Sequence, residues 1–198
     1  MRLTIVSFKG GVGKTTTAVH LAALFQNKGP TLLLDGDPNR SATAWAQRGH
    51  LPFTVLDETQ ATHDHVKKFT HVVVDTQARP SPEDLQVLAE SCDLLVIPAT
   101  PDIMSLNALM LTVDTLHAFK ANRYRVLLSI IPPTPSRDGE EARASLLESK
   151  VPMFKGQIRR LAAFAKAALA GVLVQEVPDP RAGFGWQDYQ HIGKEIVK

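Results

Sequence analysis

The sequence predicts an α/β fold, a doubly wound and mostly parallel β-sheet with helices on both faces. Apolar runs rich in β-branched residues lack polar alternation, as is typical of strands covered on both sides. These runs alternate with segments of helical pattern, which favours parallel strands joined by helices. A glycine-rich turn, KGGVGKTT at residues 9–16, follows the first apolar run and opens the first helix. Ligands of such folds bind where the strands end.

Five strands and six helices are predicted in alternating order. The strands are expected at residues 3–8, 31–35, 71–75, 94–98 and 125–131. The helices are expected at residues 15–28, 41–48, 82–90, 105–120, 140–150 and 159–170. Gly29-Pro30 and Pro132-Pro133 interrupt the pattern between elements. We expect residues 1–198 to form one domain, without an N-terminal helix-turn-helix module.

The composition is that of an ordinary globular protein, with 44% hydrophobic and 21% charged residues. No apolar run approaches the length of about 18 residues that a membrane-spanning helix needs. Cys92 is the only cysteine, which excludes internal disulfides and a cysteine cluster for zinc or iron–sulfur. We therefore expect a protein of the reducing cytoplasm.

The glycine-rich turn has the residues of a phosphate-binding loop. Its glycines Gly10, Gly11 and Gly13 allow the backbone of the loop, including Val12 and Thr16, to wrap around phosphate oxygens. Lys14 can reach the β- and γ-phosphates, and the Thr15 hydroxyl can bind Mg²⁺. The expected ligands are ATP and Mg²⁺.

The loop departs from the common pattern because Phe8 stands where a glycine is usual and Lys9 adds a second lysine. The run K-G-G-x-G-K-T resembles the deviant phosphate loop of the ParA/MinD family of ATPases. The resemblance implies that Lys9 reaches across a dimer interface to the nucleotide of a second subunit. The alternative is that Lys9 only solvates the entrance of the loop.

Carboxylates follow the second and third predicted strands. Asp35 and Asp37 are two residues apart, so they point the same way on an extended chain, although the segment DGDPN is also typical of a turn. The segment resembles the family's D-x-D-P-Q, with Asn39 in place of glutamine. The resemblance implies that Asp37 orients the attacking water and that Asp35 supports the Mg²⁺ shell.

Asp75 ends a buried apolar strand, where a carboxylate is unfavourable unless it has a partner. It is a candidate for the aspartate that holds Mg²⁺ through water. The following Gln77 and Arg79 are candidates for a switch that senses the γ-phosphate, with Arg79 as a plain surface residue as the alternative.

Two further segments are expected near the nucleotide. Asp102 in the segment IPATPD lies either at a dimer face or at the cap of the next helix. Pro132 and Pro133 follow the last predicted strand, where family members place backbone that contacts adenine.

The basic charge lies in the C-terminal part of the chain. Residues 119–198 carry five more basic than acidic side chains, whereas residues 1–118 carry three more acidic than basic ones. Such a surplus is either a solvated face or an electrostatic surface for nucleic acid. The segment 154–174 resembles a segment of the ParA/MinD family, and the resemblance implies that C-terminal basic residues of both subunits form one surface for the DNA backbone. The candidates are Lys155, Arg159, Arg160, Lys166 and Arg181.

The resemblance implies a short ParA-type ATPase that forms an ATP-dependent sandwich homodimer on nonspecific DNA of the nucleoid. A ParB-like or cargo-adaptor protein would stimulate its slow hydrolysis, and the cargo would be a plasmid, a chromosome or a protein body such as a carboxysome. A MinD-like membrane-associated ATPase is the alternative, but it needs a basic amphipathic C-terminal helix, and the tail DYQHIGKEIVK has few strong apolar residues. We therefore expect no stable membrane association. The lone cysteine argues against a nitrogenase-type reductase.

Overall fold

A computed structural model describes residues 1–197 and shows six parallel strands in one sheet. The strand order is β3-β2-β4-β1-β5-β6. The strands are β1 (Arg2–Ser7), β2 (Thr31–Gly36), β3 (Thr54–Asp57), β4 (His71–Ala78), β5 (Leu94–Ala99) and β6 (Tyr124–Leu128). The predicted α/β class with a parallel sheet is confirmed.

Eight α-helices lie within residues 1–197. They are α1 (Lys14–Gln26), α2 (Ser41–Arg48), α3 (His63–Val66), α4 (Pro82–Glu90), α5 (Ile103–Ala118), α6 (Asp138–Glu148), α7 (Ala162–Ala170) and α8 (Ala182–Ile196). Short 3-10 turns lie at Glu58–Gln60 and Val174–Glu176. No helix in this part of the chain is long and apolar enough to cross a membrane.

The two faces of the sheet carry separate apolar clusters, because successive strand residues point to opposite sides. Leu3 and Ile5 of β1 pack on one face with residues of α1, α2, α7 and α8. Val6 packs on the other face with residues of α4, α5 and α6. The sheet is therefore covered on both sides, which explains why its strands lack polar alternation.

The register of the central strands brings the acidic residues to one edge. Asp35 of β2 lies directly beside Asp75 of β4, and Ile5 of β1 lies beside Asp75 on the other side. The loop that carries Lys14 follows β1 at the same edge. The candidate site is therefore assembled where the central parallel strands end.

The sequence did not predict α8, and its tail is not a free amphipathic helix. Tyr189 and Ile192 of α8 are buried in the core beside α1 and α7. The glycines of α8 obscure its helical pattern in the sequence. Two of them nevertheless allow close packing of α8 against neighbouring helices. A Cβ on Gly185 would lie 2.9 Å from the Phe164 ring, and one on Gly193 would lie 3.0 Å from Leu24.

Three predicted boundaries are wrong by three residues, at the end of β4, which runs to Ala78 rather than to residue 75, at the end of β6 and at the start of α7. β6 ends at Leu128 rather than at residue 131, because Ile130 adopts a left-handed backbone with φ of 55°. The predicted helix 159–170 begins only at Ala162, because the preceding segment is extended. There Ile158 N donates to Leu128 O (2.9 Å), and Arg160 N donates to Ile131 O (2.8 Å).

Candidate nucleotide-binding site

The glycine-rich turn lines a cavity of about 730 Å³ at the C-terminal edge of the sheet. Gly11 and Gly13 have φ of 78° and 86°, a backbone that side chains rarely adopt. A Cβ on Gly10 or on either of these would meet no atom within 4 Å, so their open side faces solvent space. Gly13 precedes α1, so the first N–H groups of that helix lie at the turn, as anion binding requires.

Lys14, Thr15 and Thr16 of the turn all line this cavity. The Lys14 side chain is buried although its ammonium is charged. Val12 is buried beneath the loop, and its carbonyl accepts a hydrogen bond of 2.8 Å from the Ser129 hydroxyl. The end of β6 therefore supports the loop from below.

Asp75 is a buried carboxylate whose oxygens have no hydrogen-bond partner within residues 1–197. Burial raises its pKa to about 7, although the Thr15 hydroxyl and the Lys14 ammonium lower it and the charges of Asp35 and Asp37 raise it further. An orphaned carboxylate beside a threonine hydroxyl fits Mg²⁺, which is held by one or two carboxylates together with phosphate oxygens and waters. The residues present therefore fit the expected metal.

The two acidic residues after β2 have different environments. Asp37 lines the cavity, and its Oδ1 accepts hydrogen bonds of 2.9 Å from the backbone N and from the Nδ2 of Asn39. Asp35 is fully buried, and its Oδ2 accepts bonds of 2.8 Å from the backbone N and hydroxyl of Thr43. Asp35 therefore fixes α2 to the sheet, and its support of the Mg²⁺ shell stays a prediction.

Asp102 caps a helix and binds Lys9 at the entrance of the loop. Its Oδ1 accepts a 3.0 Å hydrogen bond from Ser105 N, so the predicted helix cap is confirmed. The same oxygen lies 2.6 Å from Lys9 Nζ. Partial burial alone would raise the pKa of Asp102, but hydrogen bonds from Lys9, Thr100 and Ser105 outweigh it and lower the pKa to about 2. Lys9 is therefore paired within its own chain.

Arg79 is exposed but is tied to the phosphate loop. Its backbone is left-handed with φ of 57°, which is uncommon outside glycine. Its N donates to Ser7 O (3.0 Å), and its Nε donates to Phe8 O (3.3 Å). Gln77 is exposed and does not line the cavity. The segment after Asp75 thus contacts the start of the phosphate loop through Arg79.

Apolar residues from outside the phosphate loop form another part of the cavity lining. These residues include Ile130, Ile158, Leu161 and Phe164. A left-handed β-branched residue such as Ile130 is strained, and such strain is often found at ligand sites. Sequence reasoning missed this wall, because it is assembled from the β6–α6 connection and the segment before α7, which are far apart in sequence.

Pro132 and Pro133 do not line this cavity, and their expected contact with adenine stays a prediction. They line a neighbouring cavity of about 420 Å³ with Arg160, Arg181 and Phe184. The turn at Ile130 redirects the chain before it reaches the prolines.

The five basic candidates are not equivalent. Arg159 Nη2 lies 2.7 Å from Asp188 Oδ1, and Lys166 Nζ lies 2.9 Å from Asp179 Oδ2. The other three are exposed and form no salt bridge within the described residues: Lys155, Arg160 and Arg181. Arg159 and Arg160 lie in the extended segment before α7 rather than on the helix that was predicted to begin at residue 159.

Aromatic residues join α8 to the helix that follows the loop, a contact that sequence reasoning missed. Tyr189 OH lies 3.1 Å from the Thr17 hydroxyl, and its ring stacks on His20 at a centroid distance of 4.8 Å. His20 Nδ1 bonds Thr16 O (2.7 Å), and its Nε2 accepts from Val174 N (3.1 Å). Tyr189 also lines the cavity, so α8 is part of the site.

The chain is similar to known proteins of one family. A family described as the CobQ/CobB/MinD/ParA nucleotide binding domain matches residues 3–174. Maintenance of carboxysome distribution protein A of Gloeobacter kilaueensis is 34% identical over 200 residues, which cover 98% of this chain and 93% of the relative. Protein ParA of Rhizobium radiobacter is 30% identical over 164 residues, which cover 75% of this chain and 73% of the relative.

A solved complex of a Cyanothece McdA variant with ATP has a similar fold. It superposes with a TM-score of 0.76 at 18% identity and covers 97% of this chain and 96% of that one. At this identity the likeness shows the fold.

Proposed function

Because the chain belongs to the CobQ/CobB/MinD/ParA nucleotide-binding domain family, we propose that it is a ParA-type positioning ATPase that binds ATP with Mg²⁺ and hydrolyses it to ADP and phosphate. The observation that carries this proposal is the buried, unpartnered carboxylate of Asp75 beside the loop of Lys14 and Thr15. A folded protein tolerates such a group where a cation completes it.

Different residues of the cavity serve nucleotide binding and ATP hydrolysis in this proposal. Lys14 and the backbone N–H groups of residues 10–16 bind the phosphates. Thr15, Asp37 and Asp75 hold Mg²⁺, which when bound neutralises charge on the transferring phosphate. Asp37, which lines the cavity, also orients the attacking water. The apolar wall of Ile158 and Phe164 takes the base.

Lys9 completes the site of a second copy in this proposal. It lies at the outer end of the loop, and its side chain is only about one-third exposed because Asp102 holds it. An ATP-bound homodimer requires Lys9 to leave Asp102 for the partner's phosphates. The pair must therefore open before the proposed dimer forms.

The dimer binds nonspecific DNA through the basic residues of the C-terminal part. Lys155, Arg160 and Arg181 are the strongest candidates, since their charges are not neutralised by a salt bridge within residues 1–197. Contacts of lysine and arginine with phosphates are independent of sequence and sensitive to salt. This binding would associate a cytoplasmic protein with the nucleoid.

A ParB-like or cargo-adaptor protein stimulates hydrolysis and releases the dimer from DNA. One relative described above is named for carboxysome distribution and the other is a ParA protein, so the proposed cargo is a protein body or a replicon. A MinD-like membrane role is not favoured, because Tyr189 and Ile192 of α8 are committed to the core.

A DNA-binding titration at several salt concentrations, with ATP, ADP or no nucleotide, tests the proposal. We expect salt-sensitive binding of nonspecific duplex DNA with ATP only. Equal DNA affinity in all three nucleotide states would contradict ATP-dependent DNA binding. A membrane-vesicle pelleting assay under the same conditions distinguishes the MinD-like alternative.

A further inference from the structure

Helix α8 holds the segment before α7 through two carboxylates on one face. Asp188 and Glu195 are seven residues apart, two helical turns, so they project on the same side. Glu195 accepts hydrogen bonds from Lys155 N (2.9 Å) and Gly156 N (2.7 Å). Asp188 binds the next part of the same segment, at Arg159. The segment 155–159 is thus fixed along α8.

Both carboxylate oxygens of Asp188 accept hydrogen bonds from a single residue, Arg159. Its Oδ2 accepts from Arg159 N (3.0 Å) and Nε (2.8 Å), and its Oδ1 accepts from Arg159 Nη2 (2.7 Å). Asp188 is buried, whereas the Arg159 side chain is half exposed and lies over the Phe184 ring at 5.2 Å. Bidentate bonds of this kind define geometry as well as energy.

Arg159 belongs to the wall of the nucleotide cavity. Residues 158–161 line it, and the segment is also bonded to the end of β6, where Ile158 N donates to Leu128 O at 2.9 Å. The wall therefore lies between two supports, β6 and Asp188. Tyr189, the residue after Asp188, reaches the same cavity and bonds Thr17 of α1.

Burial of the Asp188 carboxylate carries a desolvation cost that offsets much of its attraction to Arg159, so stability alone is a weak reason for Asp188. We propose that Asp188 is a positioning residue for the nucleobase, which acts by holding Arg159 so that residues 158–161 form a fixed wall against the base. This inference rests on the proposed nucleotide site. It concerns the base alone, since the proposed phosphate ligands belong to the loop of residues 10–16 and not to this wall.

The test compares MgATP with Mg–tripolyphosphate, which has the phosphates but no base. Isothermal titration calorimetry of Asp188→Asn should show about tenfold weaker binding of MgATP, as expected for the loss of a charged hydrogen bond. Tripolyphosphate affinity should remain within about twofold of wild type, because the loop is untouched. Equal weakening of both ligands, or of neither, would overturn the inference.

Two further variants keep the result interpretable. Asp179→Asn breaks an ion pair of the same type, with Lys166 on α7, outside the wall, and should leave both affinities unchanged. If Asp188→Asn fails to fold in a thermal melt, Arg159→Lys removes the fork from the exposed side of the pair and should show the same selective loss. A wild-type protein that bound neither ligand would instead refute the nucleotide site itself.

Discussion

Lys9 Nζ lies 2.6 Å from Asp102 Oδ1, and this pair joins the phosphate loop to the start of α5. Asp102 serves two purposes at once, since the same oxygen caps the helix through Ser105 N. Any role of Lys9 at another subunit's nucleotide must begin with the opening of this pair. The pair is partly exposed, so its opening requires only about 1 kcal/mol or less.

Asp102→Asn should favour the ATP-dependent dimer. Asparagine retains the helix cap but loses the charge that holds Lys9. Half-maximal dimerisation should then need about twofold to fivefold less ATP, as the free energy of an exposed pair implies. Sedimentation velocity across an ATP series measures this change.

Two comparison variants serve as controls for the sedimentation experiment. Asp114→Asn removes one charge from the exposed face of the same helix and should leave dimerisation unchanged. Lys9→Ala should abolish the ATP-dependent dimer while monomer binding of ATP persists. A weaker dimer in Asp102→Asn would show that Asp102 itself contributes to the dimer face.

Asp37→Ala should trap the ATP-bound dimer. Asp37 lines the cavity and is held by Asn39, so its loss removes the group that orients water and leaves the Lys14 loop unchanged. We expect the hydrolysis rate to fall by about 100-fold or more, within the range typical of a lost general-base or positioning group. A phosphate-release assay and sedimentation with ATP measure the two effects. Normal turnover in this variant would assign the water to another residue.

Asp75→Asn should stabilise the nucleotide-free protein and impair function. The raised pKa means that the folded state binds a proton more readily than the unfolded chain, so stability falls as pH rises from about 4 to about 7. At pH 8 the charged, unpartnered carboxylate therefore opposes folding. The variant should gain roughly 2 kcal/mol in urea unfolding, yet lose the Mg²⁺ dependence of ATP binding. A less stable variant would show that Asp75 has a partner in the nucleotide-free protein.

Lys155→Glu combined with Arg181→Glu should weaken DNA binding. Both residues are exposed, form no salt bridge within residues 1–197 and lie outside the phosphate-loop cavity, so ATP affinity should not change. The slope of log affinity against log salt should decrease by about 2, one for each lost phosphate contact. Lys67→Glu with Lys68→Glu makes the same change of charge beside α3 and serves as control. An equal loss in that control would indicate an effect of net charge alone.

The features that the sequence predicted best are those that depend on local residue patterns. The phosphate loop, the strands that carry Asp35 and Asp75, and the cap at Asp102 depend on neighbouring residues, so their placement was correct. The apolar wall depends on Ile130 and Phe164, which only the tertiary fold brings together. The same holds for the pairing of Arg159 with Asp188, because no local rule indicates which cation is neutralised. Helix α8 was missed because its glycines have a poor helix propensity that packing overrides.

His20 should make stability depend on pH in the opposite sense to Asp75. Burial lowers its pKa from 6.5 to about 4, offset in part by the bond to Thr16 O. The unfolded chain thus binds a proton more readily, so the contribution of neutral His20 to stability is lost as pH falls from about 6.5 to about 4. His20→Phe preserves the stacking on Tyr189 but cannot titrate. The difference in unfolding free energy between wild type and this variant should shrink by about 2 kcal/mol from pH 7 to pH 5. Urea unfolding at both pH values measures it, and because Asp75 is common to both proteins its titration cancels. A difference that stays constant would mean that His20 remains neutral in the unfolded chain or charged in the folded one.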